Sequence, residues 1–182
     1  MGKTKDQLID EILVMDCQSG RVKAMEVLVS RWQKRLWRYA YRLTGDSGAA
    51  WDVTQESWLS IIRGIRRLND PARFKAWVYR IVTNKVNDWI RKSKALPRCE
   101  AGTIDQEQTV QEQVRSDSTS DLHIIMRRLP AQHRTILSLY HLEGLGIAEV
   151  ARVLQIPTGT VKSRLHKARR QLKKLWQECV EN

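Results

Sequence analysis

Long apolar runs are missing from this chain: no stretch approaches the roughly 20 residues that cross a bilayer, and the polar N-terminus has no signal-peptide core. Membrane insertion is not expected, and the chain is expected to be cytoplasmic. Cysteine is scarce. Cys17, Cys99 and Cys179 are odd in number and far apart, with no C-x-x-C and no histidine at metal-ligand spacing. Free thiols are therefore expected in place of a disulfide frame or a zinc site, with a redox role for Cys99 as the alternative. His123, His133, His141 and His166 lack any H-E-x-x-H spacing, and neither a glycine-rich phosphate loop nor a nucleophile elbow occurs. No catalytic residue, metal or cofactor is expected, and the protein reads as a non-enzyme.

Acidic side chains are also few, 20 Asp+Glu against 32 Lys+Arg, for a net charge of +12. Such an excess favours a polyanionic partner, because each phosphate neutralised releases condensed counterions. The charge is uneven. Residues 21–95 hold 17 basic and 6 acidic side chains, residues 121–182 hold 11 and 5, and residues 96–120 between them hold 2 and 5. That middle stretch, with Pro97, Gly102 and many Ser, Thr and Gln, has the composition of a flexible linker. The expected organisation is an N-terminal arm over 1–20, a first domain over 21–95, a linker over 96–120 and a second domain over 121–182.

Extended period-2 alternation is absent too, whereas apolar residues recur at three and four. The fold class is therefore all-α, two small helical domains joined by a flexible linker. Met25, Leu28, Trp32, Leu36, Tyr39 and Leu43 form one stripe ending at Gly45. Trp58, Ile61, Ile62 and Ile65 form the buried side of a second helix beginning near Ser47. Asn69-Asp70-Pro71 then breaks the chain before a third helix from about Ala72 to Lys92. In the second domain, Leu122, Ile125, Met126 and Leu129 form the apolar side of a short amphipathic helix stopped by Pro130, and Ile136, Leu137, Leu139, Tyr140 and Leu142 form that of another stopped by Gly144.

A helix-turn-helix completes this four-helix domain. Ile147, Val150, Ala151 and Leu154 line one face of a short helix, and small Ala151 lets a second helix cross closely. Gln155-Ile156-Pro157 makes the turn, Thr158 suits an N-cap, and Val161, Leu165, Ala168, Leu172 and Leu175 give the second helix its apolar side. Lys162, Ser163, His166, Lys167 and Arg170 then point outward. The N-terminal part of such a helix meets base edges in the major groove, which makes Lys162, Ser163, His166 and Lys167 base-edge candidates. Arg164, Arg169, Arg170, Lys173 and Lys174 lie where phosphate contacts are expected.

In the third helix, Arg80, Asn84, Asn87, Asp88 and Arg91 form a polar stripe opposite Val78, Val82, Val86 and Trp89. Amides mixed with arginines suit bases exposed on a single strand. A solvated helix face fits the pattern equally well.

The run from Leu142 to Leu172, with Ile156-Pro157-Thr158-Gly159-Thr160-Val161-Lys162-Ser163-Arg164-Leu165, resembles the C-terminal domain of extracytoplasmic-function sigma factors, promoter-recognition subunits of bacterial RNA polymerase. Gly146-Ile147-Ala148 departs from the serine cap and acidic residues common in the family. The resemblance implies that this domain reads the −35 element as duplex DNA, through Lys162, Ser163, Arg164, His166, Lys167 and Arg170. The run Phe74 to Asn84 is similar to the family's segment that opens the −10 element. By that likeness Asn84 stands beside a flipped base, flanked by Arg73, Lys75, Arg80, Lys85 and Asp88, while Trp77 fits core better than base stacking. The run Asp52 to Trp58 looks like the family's docking segment for the polymerase's largest subunit, which implies a polymerase contact through Asp52, Gln55, Glu56 and Leu59. The partners implied are core RNA polymerase, promoter DNA and an anti-sigma factor. The alternatives are a conventional helix-turn-helix regulator that binds duplex DNA without polymerase, and a nucleic-acid-processing enzyme. The latter would need a carboxylate cluster, and Glu26, Asp46, Asp52, Glu56, Asp70 and Asp88 are scattered among arginines.

Overall fold

The computed structural model describes residues 4–95 and 120–180, and the regular elements among these residues are all helical. The linker and Cys99 lie outside the described residues. Residues 5–18, expected as part of an arm, form helix α1 (Lys5–Gln18). Its start is a reciprocal cap: the Gln7 N–H donates to the Thr4 hydroxyl and the Thr4 N–H donates to the Gln7 side chain. α1 buries Val14 and Cys17, and the Gln18 amide donates to the carbonyls of Ile65 and Leu68 at 3.0 and 2.7 Å. The segment is thus a packed part of the first domain. Burial pushes the Cys17 thiol above its ordinary pKa.

α2 (Val22–Thr44) buries Leu28, Trp32, Leu36, Tyr39 and Leu43, and ends where Gly45 takes φ +74, a left-handed turn that glycine adopts without penalty. α3 (Ser47–Gly64) starts under the Asp46 carboxylate, which accepts from the Ala49 N–H at 2.6 Å. It buries Val53, Trp58 and Ile61, but Ile62, expected inside, is 48% exposed. Each helical step turns the side chain by about 100°, and Ile61 and Ile65 already fill the core face. Asp70 caps a 3₁₀ turn (Pro71–Arg73) that feeds α4 (Phe74–Ala95).

Aromatic rings close the first core. Trp32 meets Phe74 and Tyr79 edge-on at 5.4 and 6.0 Å, and Tyr39 meets Tyr79 at 5.0 Å with its hydroxyl bonded to Thr83 at 2.7 Å. Trp77 comes close enough to α3 that a Cβ at Gly64 would stand 2.9 Å from its ring, and it packs half-buried against the core.

The second domain comprises α5 (Ser120–Arg128), α6 (Ala131–Leu137), α7 (Ile147–Leu154) and α8 (Thr158–Val180). α6 runs into a π-helical turn (Ser138–Leu142). The wider turn shifts the helical register, and Leu142, expected inside, is left exposed. The two domains touch: α4 packs against α7, α2 packs against α5 and α6, and their buried side chains form one continuous cluster.

Candidate nucleic-acid interfaces

The helix-turn-helix is built by local chemistry. The first helix of the pair, α7, has glycine where a side-chain cap was wanted, yet Glu149 returns its carboxylate to accept the Gly146 N–H at 2.8 Å. That contact replaces half of a capping box. α7 ends at Gln155, which takes φ +55, a left-handed conformation uncommon outside glycine and asparagine. Thr158, expected as the cap, is already the first residue of α8; Pro157 precedes it and its carbonyl accepts from the Val161 N–H at 3.1 Å. Val150 and Ala151 are buried as the spacing requires, and so are Val161, Leu165 and Ala168.

α8 presents Lys162, Ser163, His166, Lys167 and Arg170 to solvent, while Arg164 is half-buried. From Lys162 to Arg170 the helix advances about 12 Å at 1.5 Å per residue, and its diameter of about 10–12 Å fits a major groove about 12 Å wide. The space above Gly159 is empty, so the helix start is open to a partner. The Ser163 hydroxyl donates to the Thr160 carbonyl at 3.1 Å and keeps its lone pairs free. Arg169 behaves differently from its neighbours. Its Nε donates to His141 Nε2 at 3.1 Å and its guanidinium sits 5.3 Å from the Tyr140 ring centre, which pins it to the domain. Burial and the adjacent Arg169 charge lower the His141 pKa, and a neutral ring is what this acceptor role needs.

On α4 the expected polar stripe forms. Arg80, Asn84, Asn87 and Arg91 are exposed, and Val78, Val82 and Val86 are buried on the opposite side. The six −10 candidates are not equivalent. Arg80 and Asn84 face solvent, with no ion pair or hydrogen bond from their side chains among the described residues. Arg73 pairs with Asp70 at 3.0 Å, and Asp88 pairs with Arg91 at 2.8 Å. Lys85 is half-buried and reaches across to Glu56 of α3 at 3.1 Å. Lys75 is half-buried as well, and its ammonium donates to the Gly144 carbonyl of the second domain at 3.4 Å. Burial first, then the nearby Arg35 charge, lowers its pKa.

The four candidates for polymerase docking share one exposed face of α3: Asp52, Gln55, Glu56 and Leu59. Sequence reasoning missed that Trp51 and Ile62 flank them, exposed at 43% and 48% beside Leu59 at 53%. Three large apolar side chains thus stand open to water beside Asp52 and Glu56 on this face. Periodicity could have found it, since positions 51, 55, 59 and 62 follow helical spacing. Among the described residues, no three His, Cys, Asp or Glu side chains are placed to share a metal, and no helix is long and apolar enough to cross a membrane.

Comparison with known proteins follows the same two blocks. The model of sigma-70 region 2 matches residues 28–95 and that of sigma-70 region 4 matches residues 121–172. An ECF RNA polymerase sigma factor of Mycobacterium tuberculosis, SigL, is 34% identical over 171 residues, spanning 91% of this chain and 96% of that protein. SigE of Mycolicibacterium smegmatis, another ECF RNA polymerase sigma factor, is 34% identical over 153 residues, 80% of this chain and 59% of the relative. In fold, the chain is similar to CnrH as solved in complex with the cytosolic domain of CnrY, with a TM-score of 0.71 at 24% identity over 93% of this chain and 98% of that one.

Proposed function

This chain belongs to the extracytoplasmic-function sigma factors, which direct RNA polymerase to promoters, and from that premise we propose that its two domains divide the promoter between them. The second domain reads the −35 element as duplex. Lys162, Ser163, His166 and Lys167 approach base edges, and Arg164 and Arg170 hold phosphates. The first domain engages the −10 element as a separated strand, with Asn84 beside an extruded base and Arg80, Arg73, Lys75, Lys85 and Asp88 around it. α3 docks on core polymerase through Asp52, Gln55, Glu56 and Leu59, and the exposed Trp51 and Ile62 extend that contact. An anti-sigma factor silences the protein by covering one or more of these faces. The protein acts in the cytoplasm and performs no chemistry of its own.

The observation that carries the reading is the pairing of two solvent-facing polar stripes, on α4 and α8, each backed by a buried apolar side and each inside a segment that matches a sigma region. Transcription in vitro with purified core polymerase and a promoter library tests it. Promoter-specific transcripts that depend on the protein are the expected result. Duplex binding by the protein alone with no such transcripts would make it a conventional regulator.

A further inference from the structure

Glu143 is the charged side chain whose position the promoter reading leaves unexplained. It lies between the π-helical turn and Gly144, on the second domain, and is 5% exposed. Its carboxylate accepts from Arg35 Nε at 3.0 Å, from Arg42 and from the Tyr79 hydroxyl, all on the first domain. Its own backbone carbonyl accepts a second bond from Arg35 at 3.2 Å, and the Gly144 carbonyl accepts from Lys75 at 3.4 Å. A buried carboxylate is tolerated only when it is paired and hydrogen-bonded, and each side chain that donates to this one comes from the other domain. The receiver is preorganised, since Arg35 is held 5.0 Å from the Trp32 ring centre and 5.9 Å from that of Tyr79. Val153, off the apolar face predicted to meet α8, is 2% exposed, as befits a helix that packs on α4 as well as on α8.

We propose that Glu143, received by Arg35, Arg42 and Tyr79, is an intramolecular latch that keeps the free chain closed and must release before the protein can span a promoter. The promoter half of this statement rests on the sigma reading; the latch itself does not. The labels −35 and −10 place the two elements about 25 base pairs apart, roughly 85 Å of duplex at 3.4 Å per pair. A compact chain of this length has a radius of gyration of about 16 Å and is roughly 40 Å across. The closed form is too short to occupy both elements, so binding has to pull Glu143 out of its site. Opening returns the carboxylate and both guanidinium groups to water, and it frees Lys75 for the role proposed beside the −10 strand.

Small-angle scattering of the full chain at low salt tests the latch without DNA. The wild type is expected near the compact radius, and Glu143→Ala is expected to expand while keeping its helical circular dichroism. Arg42→Ala removes the same contact from the other domain and should expand the chain likewise, which covers the case in which Glu143→Ala fails to fold. A wild-type chain already expanded, or variants that fold and stay as compact as the wild type, would overturn the latch. Loss of promoter-specific transcription with the scattering result intact would instead refute the sigma reading.

Discussion

Asn84→Ala separates recognition from folding, because the structure gives the two effects opposite signs. Asn84 is exposed in the middle of α4 and its side chain makes no hydrogen bond among the described residues. Alanine forms helix more readily than asparagine by about 0.5 kcal/mol, and no packing is lost. The melting temperature should therefore stay or rise, by roughly 2–4 °C for a domain of this size. Promoter opening should suffer. An amide that reads one base contributes about 1–3 kcal/mol of discrimination, so the preferred −10 sequence should lose roughly 5- to 150-fold in open-complex formation, and promoters altered at that one base much less. The assay is open-complex formation with core polymerase on a set of single-base −10 variants, paired with a thermal melt. Equal loss across all promoters would show that Asn84 contacts backbone, and a melting temperature lower by several degrees would show that it supports the fold. Either result would refute the assignment.

Lys162→Ala should shift preference within the −35 element at a cost of about 1–3 kcal/mol and leave the −10 preference intact, whereas Arg170→Ala should weaken all duplexes alike and lower the salt slope by about one; binding titrations at several salt concentrations distinguish them. Leu59→Asp places a charge on an already exposed position of α3, so the melt should be unchanged while affinity for core polymerase falls at least roughly tenfold; normal affinity would remove this face from the docking site. The His141 pKa is lowered in the folded state, so the unfolded chain binds the proton more readily and stability is lost as pH falls below the ordinary histidine value of about 6.5. The melting temperature of the second domain should drop between about pH 7.5 and 5.5, and His141→Gln should flatten that drop.

What could be read from the sequence was what neighbouring residues decide. The stripe from Val161 to Ala168, the stop at Gly45 and the break at Asp70-Pro71 rest on contacts within a turn or two, and the helices stand where those signals place them. α1 was obscured because its apolar residues are split: Val14 and Cys17 go inside, but Leu8, Ile12 and Met15 stay exposed, so no single stripe stands out. Thr158 was read as a cap because its hydroxyl can serve as one, and the chain begins the helix one residue sooner. Ile62 and Leu142 looked buried by chemistry alone, and register sent both outward. The partners of Glu143 lie 64, 101 and 108 positions away at Tyr79, Arg42 and Arg35. No periodicity connects such positions.

The ion pair between Lys85 and Glu56 ties the two faces proposed for the first domain to each other. Under the proposed roles, a substitution at Glu56 made to weaken polymerase docking also frees the Lys85 ammonium on α4, and one at Lys85 made to weaken strand binding also leaves the Glu56 carboxylate unpaired on α3. Gains and losses at the two positions will therefore be epistatic, and single-site scans will assign each residue a share of its neighbour's work. Only the double substitution, read against both single ones, separates the coupling from what each residue contributes by itself.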